Sequence, residues 1–445
     1  MKVKVISRNP DDYQRETKAD LHKLVRNYNS ERDAFQAQTE YVRALNATKL
    51  ERVFAKPFVA SLDGHNDGVS ILSKHPFRSS TIFSGARDGQ IKVWNLPRRE
   101  CISTIQTHRG LVNGLSVDNV DGEQMVTVGS DSQLKMWKVP VTGKEANLDE
   151  PMHSIPLNEV AHSISHVANS TDFVTSGDTV NVWKPWRDSP IRTYNLGVNT
   201  IHCVRANPIE EAVMVGVTTD RSIFLLDTRQ KSPLKKVTMK LRPNMVIWNP
   251  MEAFVFAVAN DDYNAYSFDM RNLVNPRRIH YGHTMAVVDI DYSPTGRELC
   301  TGSFDRSVRI YGVDSATSRE VYHTKRMQQV LSVLWSADSK FVLSGSNEMN
   351  VRVWKAHAAE KLGPMTKREE SALQYSEKLR EQFKEHPEIR RIQRHRHVPG
   401  SIYNQTKELR TIREAKEKKA ERRIKYNKEA VPERDTHMVA TKEEE

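Results

Sequence analysis

The sequence predicts an all-β protein, a seven-bladed β-propeller with an extended N-terminal arm and a basic, mostly helical C-terminal extension. Seven segments repeat one pattern, in which a short alternating strand, a turn with an acid and a second strand follow one another, as in TIFSGARDGQIKVW at 81–94. A period of about 40–45 residues built from short strands is typical of WD40 propeller blades. The repeats end 43, 46, 43, 42, 43 and 43 residues apart, on Trp94, Trp137, Trp183, Leu226, Phe268, Tyr311 and Trp354.

An acidic residue occupies the same place in every turn, six residues before the end of its repeat, or five in the third repeat. These turn acids are Asp88, Asp131, Asp178, Asp220, Asp262, Asp305 and Glu348. Three repeats add an upstream histidine and a serine or threonine. The pattern resembles the relay of WD40 blades, in which hydrogen bonds among Trp, Ser/Thr, His and Asp pin the inner strand to the outer loop and pair groups that are costly to bury alone. The predicted relay residues are His65, Ser84, Asp88, Trp94, His108, Thr127, Asp131, Trp137, His283, Thr301, Asp305 and Tyr311.

A Ser–His–Asp catalytic triad is the alternative interpretation of these residues, but a catalytic set normally occurs once rather than in several copies around a ring. The sequence also lacks a GxxxxGK[ST] phosphate loop, a GxGxxG after a strand and an HExxH motif. His395-Arg396-His397 makes a poor metal site, because two histidines lie among arginines that would repel a cation. We therefore expect no catalytic residue, no metal, no cofactor and no small-molecule substrate.

The ends of the propeller must meet, because an open ring would leave an exposed sheet edge. The stretch RVFAKPFVASL at 52–62 precedes the first full repeat and is predicted to supply the outer strand of the seventh blade. This divides the chain into an N-terminal arm at 1–52, one propeller at 53–358 and a tail at 359–445. The arm is expected to lie on a partner or on the propeller.

The composition predicts a soluble intracellular protein. The chain of 445 residues has no apolar run of the ~18 residues that a membrane span requires, and its N-terminus has no apolar signal region. Its three cysteines, Cys101, Cys203 and Cys300, lie far apart in the sequence and suggest neither a zinc site nor a disulfide framework.

Nearly all of the net charge of +11 lies in one part of the tail, because residues 389–428 contain 14 Lys and Arg against 4 Glu, a net of +10. The stretch RRIQRHRHVP at 390–399 alone has four arginines and two histidines. A block of this kind is usually a solvated or interacting tail. Arginine suits phosphate and base stacking, so nucleic acid is the favoured partner and an acidic protein surface the next.

Two helices are predicted in the tail. Residues 366–383 begin with a capping box at Thr366 and Glu369 and continue with apolar residues at helical spacing. Pro387 is expected to end this helix. Residues 401–428 form a second helix with little apolar face, which needs a partner to become ordered. The composition does not choose between RNA and DNA, and the candidates for binding either are Arg390, Arg391, Arg394, His395, Arg396, His397, Arg413, Lys416, Lys418, Lys419, Arg422 and Arg423.

Several stretches resemble the Sof-type WD40 family of the small-subunit processome: LNATKLERVFAKPFVASLDGH (45–65), NPMEAFVFAVANDDYNAYSFDMR (249–271) and RRIQRHRHVPGSIY (390–403). The resemblance covers nearly the whole chain. It implies a non-catalytic nucleolar scaffold that associates with pre-rRNA, the U3 small nucleolar ribonucleoprotein and other processome proteins, and that supports early cleavages leading to 18S rRNA. The propeller would then dock proteins and the basic tail would contact rRNA.

The resemblance implies a second role, because animal members of this family are also described as substrate receptors of a cullin-RING ubiquitin ligase. Such receptors often end a blade with an aromatic or apolar residue, Asp, any residue and Arg. Two stretches fit loosely, both without the preferred Trp, and give the adaptor-binding candidates Asp227, Arg229, Asp269 and Arg271. The alternative is that these Asp–Arg pairs brace a blade edge, and the sequence favours that alternative.

Overall fold

The computed structural model describes residues 35–140, 150–197 and 200–426. It divides into two compact units, one formed from the described parts of 1–55 and 359–395 and the other from those of 56–358 and 396–445. The described chain begins with helix α1 (Gln36–Val53) and strand β1 (Phe58–Asp63).

The second unit contains seven four-stranded antiparallel sheets. Blade 1 comprises β2 (Val69–Lys74), β3 (Thr81–Ala86), β4 (Gln90–Asn95) and β5 (Glu100–Gln106). Blade 2 comprises β6 (Val112–Val117), β7 (Gln124–Gly129), β8 (Gln133–Lys138) and β9 (His153–Pro156). Blade 3 comprises β10 (Ser163–His166), β11 (Phe173–Ser176), β12 (Val180–Trp183) and β13 (Arg192–Tyr194).

The remaining blades repeat this order. Blade 4 comprises β14 (Ile201–Ala206), β15 (Val213–Thr218), β16 (Ser222–Asp227) and β17 (Lys235–Thr238). Blade 5 comprises β18 (Pro243–Trp248), β19 (Val255–Asn260), β20 (Ala265–Asp269) and β21 (Arg278–His280). Blade 6 comprises β22 (Val287–Tyr292), β23 (Glu298–Ser303), β24 (Val308–Gly312) and β25 (Glu320–Tyr322). Blade 7 comprises β26 (Val330–Trp335), β27 (Phe341–Ser346), β28 (Asn350–Lys355) and β1.

The first strands of the seven blades contact one another around a closed ring, from β2 through β6, β10, β14, β18, β22 and β26 back to β2. The ring is closed by β1, which pairs with β28 in antiparallel register from Phe58↔Trp354 to Asp63↔Asn350. The prediction that the segment before the first repeat supplies the outer strand of blade 7 is confirmed. The seven-bladed propeller is confirmed with it.

Neighbouring blades are held together by apolar side chains that alternate along their strands. Between blades 1 and 2, Phe83, Ile91 and Val93 pack against Leu115 and other buried residues of the next sheet. Period-2 alternation places these side chains on the faces that the sheets turn toward each other. The core is therefore a series of layers between blades.

The residue after the turn acid takes a left-handed backbone conformation in six blades. In blade 1 it is Gly89, with φ of 86°. In the others it has a side chain and φ between 54° and 73°, at Ser132, Arg221, Tyr263, Arg306 and Met349. A left-handed residue lets a tight hairpin follow the twist of the strands, so the repeat fixes this conformation whatever the residue.

Three helices form the first unit. Helix α2 (Lys367–Gln382) begins at Thr366 with the predicted capping box, which the structure confirms. As predicted, this helix ends before Pro387. Pro387 then begins a further helix, α3 (Pro387–Arg394), where its missing N–H costs nothing. The part of the predicted arm that is described contains α1, whose Ala44 is buried with Leu379 and Ile389 of the other two helices. The predicted second tail helix is α4 (Gly400–Tyr426), which belongs to the propeller unit.

Candidate nucleic-acid interface and adaptor-binding residues

The relay of blade 2 contains all of the predicted hydrogen bonds. Trp137 Nε1 donates to Thr127 Oγ1 at 3.1 Å, and His108 Nε2 lies 2.9 Å from the same oxygen. His108 Nδ1 donates to Asp131 Oδ1 at 2.9 Å. Burial lowers the pKa of His108, so the ring is neutral and links the threonine hydroxyl to the carboxylate.

Blade 6 contains a more deeply buried version. His283 Nδ1 lies 2.8 Å from Asp305 Oδ2, and its Nε2 lies 2.6 Å from Thr301 Oγ1. Ser307 donates to Asp305 Oδ1 from both its backbone N–H, at 2.9 Å, and its hydroxyl, at 2.6 Å. Although burial alone would raise it, these donors hold the pKa of Asp305 at about 2. The predicted fourth member, Tyr311, donates its hydroxyl to the Tyr281 carbonyl at 3.2 Å.

Blade 1 lacks one predicted link. Trp94 Nε1 donates to Ser84 Oγ at 2.7 Å, and His65 Nε2 lies 2.6 Å from that oxygen. Within the described residues, however, His65 Nδ1 and Asp88 Oδ2 are buried without hydrogen-bond partners. The relay predicted for this blade is therefore wrong at its last step. Burial lowers the pKa of His65 to about 4, so the ring is neutral at physiological pH.

Two more blades contain the tryptophan step, which the sequence analysis did not assign. Trp183 donates to Thr175 Oγ1 at 2.9 Å, and Trp354 donates to Ser344 Oγ at 2.8 Å. In blade 7 the turn acid Glu348 pairs with Arg352 instead of a histidine. The signal was available, since Ser344 stands four residues before its turn acid as Ser84 does.

The relay hydroxyls of Ser84, Thr127 and Thr301 are each 0% exposed. A nucleophile has to reach its substrate, so this burial assigns the hydroxyls to holding strands together. Among the described residues no group of three or more His, Cys, Asp or Glu side chains is placed to hold a metal ion. No helix of the described chain is both long and apolar enough to cross a membrane.

The predicted RNA-binding cluster at 390–397 is divided between different environments. Arg390, Arg391 and Arg394 lie on α3 with exposed side chains, and Arg390 Nη1 is 4.0 Å from Glu385. His395 caps the helix, and its N–H donates to the Arg391 carbonyl at 3.1 Å. The exposed arginines remain open to a phosphate backbone.

Arg396 and His397, which are also predicted RNA contacts, lie against residues of the propeller. Arg396 Nε lies 3.1 Å from Glu320 Oε2, and the two side chains are only 14% and 9% exposed. The His397 ring lies 5.5 Å from the His323 ring, centroid to centroid, and His323 Nε2 lies 3.2 Å from the His397 carbonyl. Arg396 therefore anchors the tail to blade 6, because a charge buried to this degree requires its partner.

Helix α4 presents most of the remaining candidates to solvent. Thr284 Oγ1 donates to Gln405 Oε1 at 2.9 Å, which attaches the first part of α4 to the loop before β22. Lys416, Lys419 and Arg423 follow at spacings of three and four residues and therefore share a helix face. The remaining candidates Lys418 and Arg422 are also exposed, and Arg413 is half-buried. Glu414, Glu417 and Glu421 share another face, so the basic residues form a continuous strip.

The two adaptor candidates differ in geometry. Asp269 ends β20 and binds Arg271 through Nε at 3.1 Å and Nη2 at 2.9 Å. That arginine also lies 4.5 Å above the Phe254 ring, and its hydrogen bonds lower the pKa of Asp269. Asp227 ends β16, and its carboxylate accepts the backbone N–H of Arg229 at 2.9 Å. The side chain of Arg229 is exposed.

A cavity of 280 Å³ lies among the first strands of the blades. Its lining includes Lys74, Arg205, Asp289 and Asp291. The backbone N–H of Val333 donates to Asp289 Oδ2 at 2.7 Å, so this carboxylate joins blade 6 to blade 7. Burial raises the pKa of Asp289 to about 7.

Comparisons with known proteins identify the family. The Sof1-like domain matches residues 356–438, and the WD domain, G-beta repeat matches 56–95, 99–138, 274–312 and 319–355. A protein of Xenopus laevis named DDB1- and CUL4-associated factor 13 is 51% identical over 447 residues, covering 100% of both chains. The chain belongs to this Sof1-type WD40 family. The human protein of the same name is 50% identical over 446 residues, with 99% of both chains covered, and the Dictyostelium discoideum protein is 46% identical, covering 96% of this chain and 94% of its own.

The family assignment fits the division seen in the structure. The Sof1-like match covers α2, α3 and α4, and the repeat matches fall on blades 1, 2, 6 and 7. Blades 3 and 4, and blade 5 apart from its outer strand β21, form the same four-stranded sheets outside the repeat matches. The WD40 propeller domain of Doa1 superimposes with a TM-score of 0.57 at 18% identity, covering 68% of this chain and 97% of that one. That likeness supports the fold.

Proposed function

We propose that this protein is a non-catalytic scaffold of the nucleolar small-subunit processome, whose propeller docks proteins while its tail binds pre-rRNA or U3 RNA during maturation of 18S rRNA. The observation that carries the proposal is the exposed basic strip of α4 together with the exposed arginines of α3. A helix of 27 residues is about 40 Å long. Its length and charge suit a nucleic-acid backbone, which binds through several phosphates at once.

Deleting the whole tail would be an ambiguous test of this proposal. A truncation after Glu360 would remove α2 and α3, whose Leu379 and Ile389 are buried against α1. Its effect would combine lost charge with a lost core. The better variant replaces Lys416, Lys419 and Arg423 by glutamine, because all three are exposed on one face of α4. A control of equal charge change replaces Arg98, Lys231 and Lys340, which are exposed on the propeller.

The experiment crosslinks the tagged full chain to RNA in cells and sequences the bound fragments. We expect pre-rRNA or U3 sites that the α4 variant loses and the control retains. Measured in vitro against single-stranded RNA, the slope of log affinity against log salt should fall by about 2, since each phosphate contact contributes about 0.7. Recovery of RNA at background level by the full chain would refute the proposal.

A second candidate function is association with DDB1 and CUL4, the partners printed in the names of the relatives. The exposed Arg229 at the end of β16 favours it, because this guanidinium is available to another protein. Arg271 is braced by Asp269 and Phe254 and fits the structural alternative better. The combined Arg229→Ala and Arg271→Ala variant should lose DDB1 in a pull-down and keep RNA binding, while Arg277→Ala serves as control. Unchanged DDB1 recovery would remove these two arginines from the adaptor surface.

A further inference from the structure

One end of the propeller carries exposed apolar side chains at corresponding positions of several blades. They lie in the loops between the first and second strands, here called the first-strand loops. Their exposed fractions are 61% for Phe77, 43% for Val120, 45% for Ile209 and 66% for Met251. Single exposed apolar residues are normal, but a group at equivalent positions around one opening indicates an interaction surface.

Hydrogen bonds join these loops in sequence around the ring. His75 Nε2 lies 2.9 Å from the carbonyl oxygen of Gly122 in the next blade, and its Nδ1 accepts the N–H of Phe77 at 3.1 Å. Side-chain amides of asparagine make the next links. Asn119 donates to the Val167 carbonyl at 3.4 Å and Asn169 to Glu211 at 3.2 Å. Asn207 donates to the Ala253 carbonyl at 2.8 Å and Asn249 to the Gly296 carbonyl at 3.2 Å. The apolar side chains are therefore presented by a connected surface that does not have to be ordered when a partner binds.

The charge of these loops selects the kind of partner. In blades 2 to 5 they span 118–123, 167–172, 207–212 and 249–254 and contain seven acidic residues and no Lys or Arg. Asp121, Glu210 and Glu211 are exposed beside the apolar positions. Among the described residues, Glu252 is the one of these seven acids that pairs with an arginine, Arg277 at 2.7 Å. This local excess of negative charge, in a chain of net charge +11, excludes a nucleic-acid backbone and favours a basic ligand.

The basic tail is attached to the other end of the propeller. Gln405 of α4 binds Thr284, which precedes β22, whereas the first-strand loop of that blade follows β22. The two ends of one strand therefore mark the two ends of the ring. The chain offers a positive helix at one end and an acidic, apolar surface at the other.

We propose that the first-strand loops of blades 2 to 5 bind a basic, amphipathic segment of a protein partner. Apolar side chains of the segment pack on Val120, Ile209 and Met251, and its lysines or arginines pair with Glu210, Glu211 and Asp121. Exposed apolar centres with a charged rim are the usual arrangement of such interfaces. The proposal shares no residue with the RNA-binding surface, so either can fail without the other.

The probe is a fluorescein-labelled helical peptide with leucine on one face and lysine on the other, measured by anisotropy against the full chain. An acidic twin carries glutamate in place of lysine, and a third peptide has the same composition in scrambled order. Two loop variants remove the two features separately: Ile209→Ser with Met251→Ser, and Glu210→Lys with Glu211→Lys. The matched control is Met285→Ser with Met349→Ser, residues 42% and 47% exposed near the opposite end.

We expect the lysine peptide to bind more tightly than its acidic twin and the scrambled peptide. Each loop variant should weaken the affinity for the lysine peptide by about tenfold or more, and a tenfold loss corresponds to about 1.4 kcal/mol of binding free energy. The control should bind as the original chain does. Equal binding of the acidic twin, or loop variants that bind the lysine peptide unchanged, would overturn the proposal. Self-association that Ile209→Ser with Met251→Ser abolishes, seen by sedimentation, would also overturn it, because the occupant would then be a second copy.

Discussion

The turn acids provide a test, because the same position carries a fully hydrogen-bonded carboxylate in blade 6 and a partly unpaired one in blade 1. Asp305 accepts hydrogen bonds from His283, from both donors of Ser307 and from the N–H of Thr284 at 3.3 Å. Asp88 occupies the equivalent place in blade 1, but its Oδ2 has no partner among the described residues. We therefore expect Asp305→Asn to destabilise the protein and Asp88→Asn to have little effect.

The magnitude follows from the pKa of Asp305, which is about 2 against an ordinary 3.8. Each pKa unit corresponds to about 1.4 kcal/mol, so the folded state favours the carboxylate by roughly 2–3 kcal/mol. The amide also directs N–H groups at the N–H of Thr284, and an unmatched buried donor costs about 1–3 kcal/mol. We expect Asp305→Asn to lower the free energy of unfolding by about 2–5 kcal/mol, and Asp88→Asn by less than about 1 kcal/mol.

The assay is urea unfolding of both variants followed by tryptophan fluorescence, repeated across pH. Since the folded pKa of Asp305 lies below the unfolded one, its stabilisation is present above pH 3.8 and is lost as the pH falls through about 2. The difference between the original chain and Asp305→Asn should therefore stay constant from neutral pH to about 4 and shrink as the pH falls from there toward 2. Equal losses for the two variants at neutral pH would refute the reasoning, because they would show that the hydrogen bonds do not set the cost.

Three further predictions concern the propeller and the helical unit. Burial raises the pKa of Asp289 to about 7, so the stabilisation that its protonated form provides is lost as the pH rises from about 4 to 7. The free energy of unfolding in urea should therefore fall less steeply over that range in Asp289→Asn than in the original chain. A Cβ on Gly89 would stand 2.0 Å from the His108 carbonyl oxygen at a φ of +86°. Gly89→Ala should therefore lower the melting temperature far more than Gly197→Ala, which shares the positive φ, at +65°, but meets no atom within 4 Å. Leu379→Ala should lower the free energy of unfolding of the helical unit by about 2–4 kcal/mol, measured by hydrogen exchange in α1 and α2, with exposed Leu373→Ala as control.

The propeller could be predicted because its information is local and repeated. Each blade is a meander whose turns, acids and terminal aromatics recur at one period, and even blades 3 to 5 keep that period without the full relay. Ring closure followed from the physical need to cover an edge strand. The capping box of α2 was readable for the same reason, because Thr366 and Glu369 are three residues apart.

What the sequence did not predict depends on residues that lie far apart. Ala44 of α1 is buried against Leu379 and Ile389, more than three hundred residues later. Small and scattered apolar residues leave no strong helical period of hydrophobicity in α1, so the sequence predicts an extended arm there. Likewise, no sequence pattern predicts that Asp305 and His283 are hydrogen-bonded whereas Asp88 and His65 are not, since both pairs have nearly the same spacing.

The cluster at 390–397 shows why contacts between residues far apart in the sequence matter for function. In the sequence its four arginines are equivalent, and charge alone gives all of them to the nucleic acid. In the structure Arg396 is half-buried and paired with Glu320, whereas Arg391 and Arg394 are exposed on α3. A charge that is already paired cannot also neutralise a phosphate without leaving its partner unpaired. The tail therefore needs two kinds of arginine, one that fixes where the basic helix leaves the propeller and others that remain available to bind.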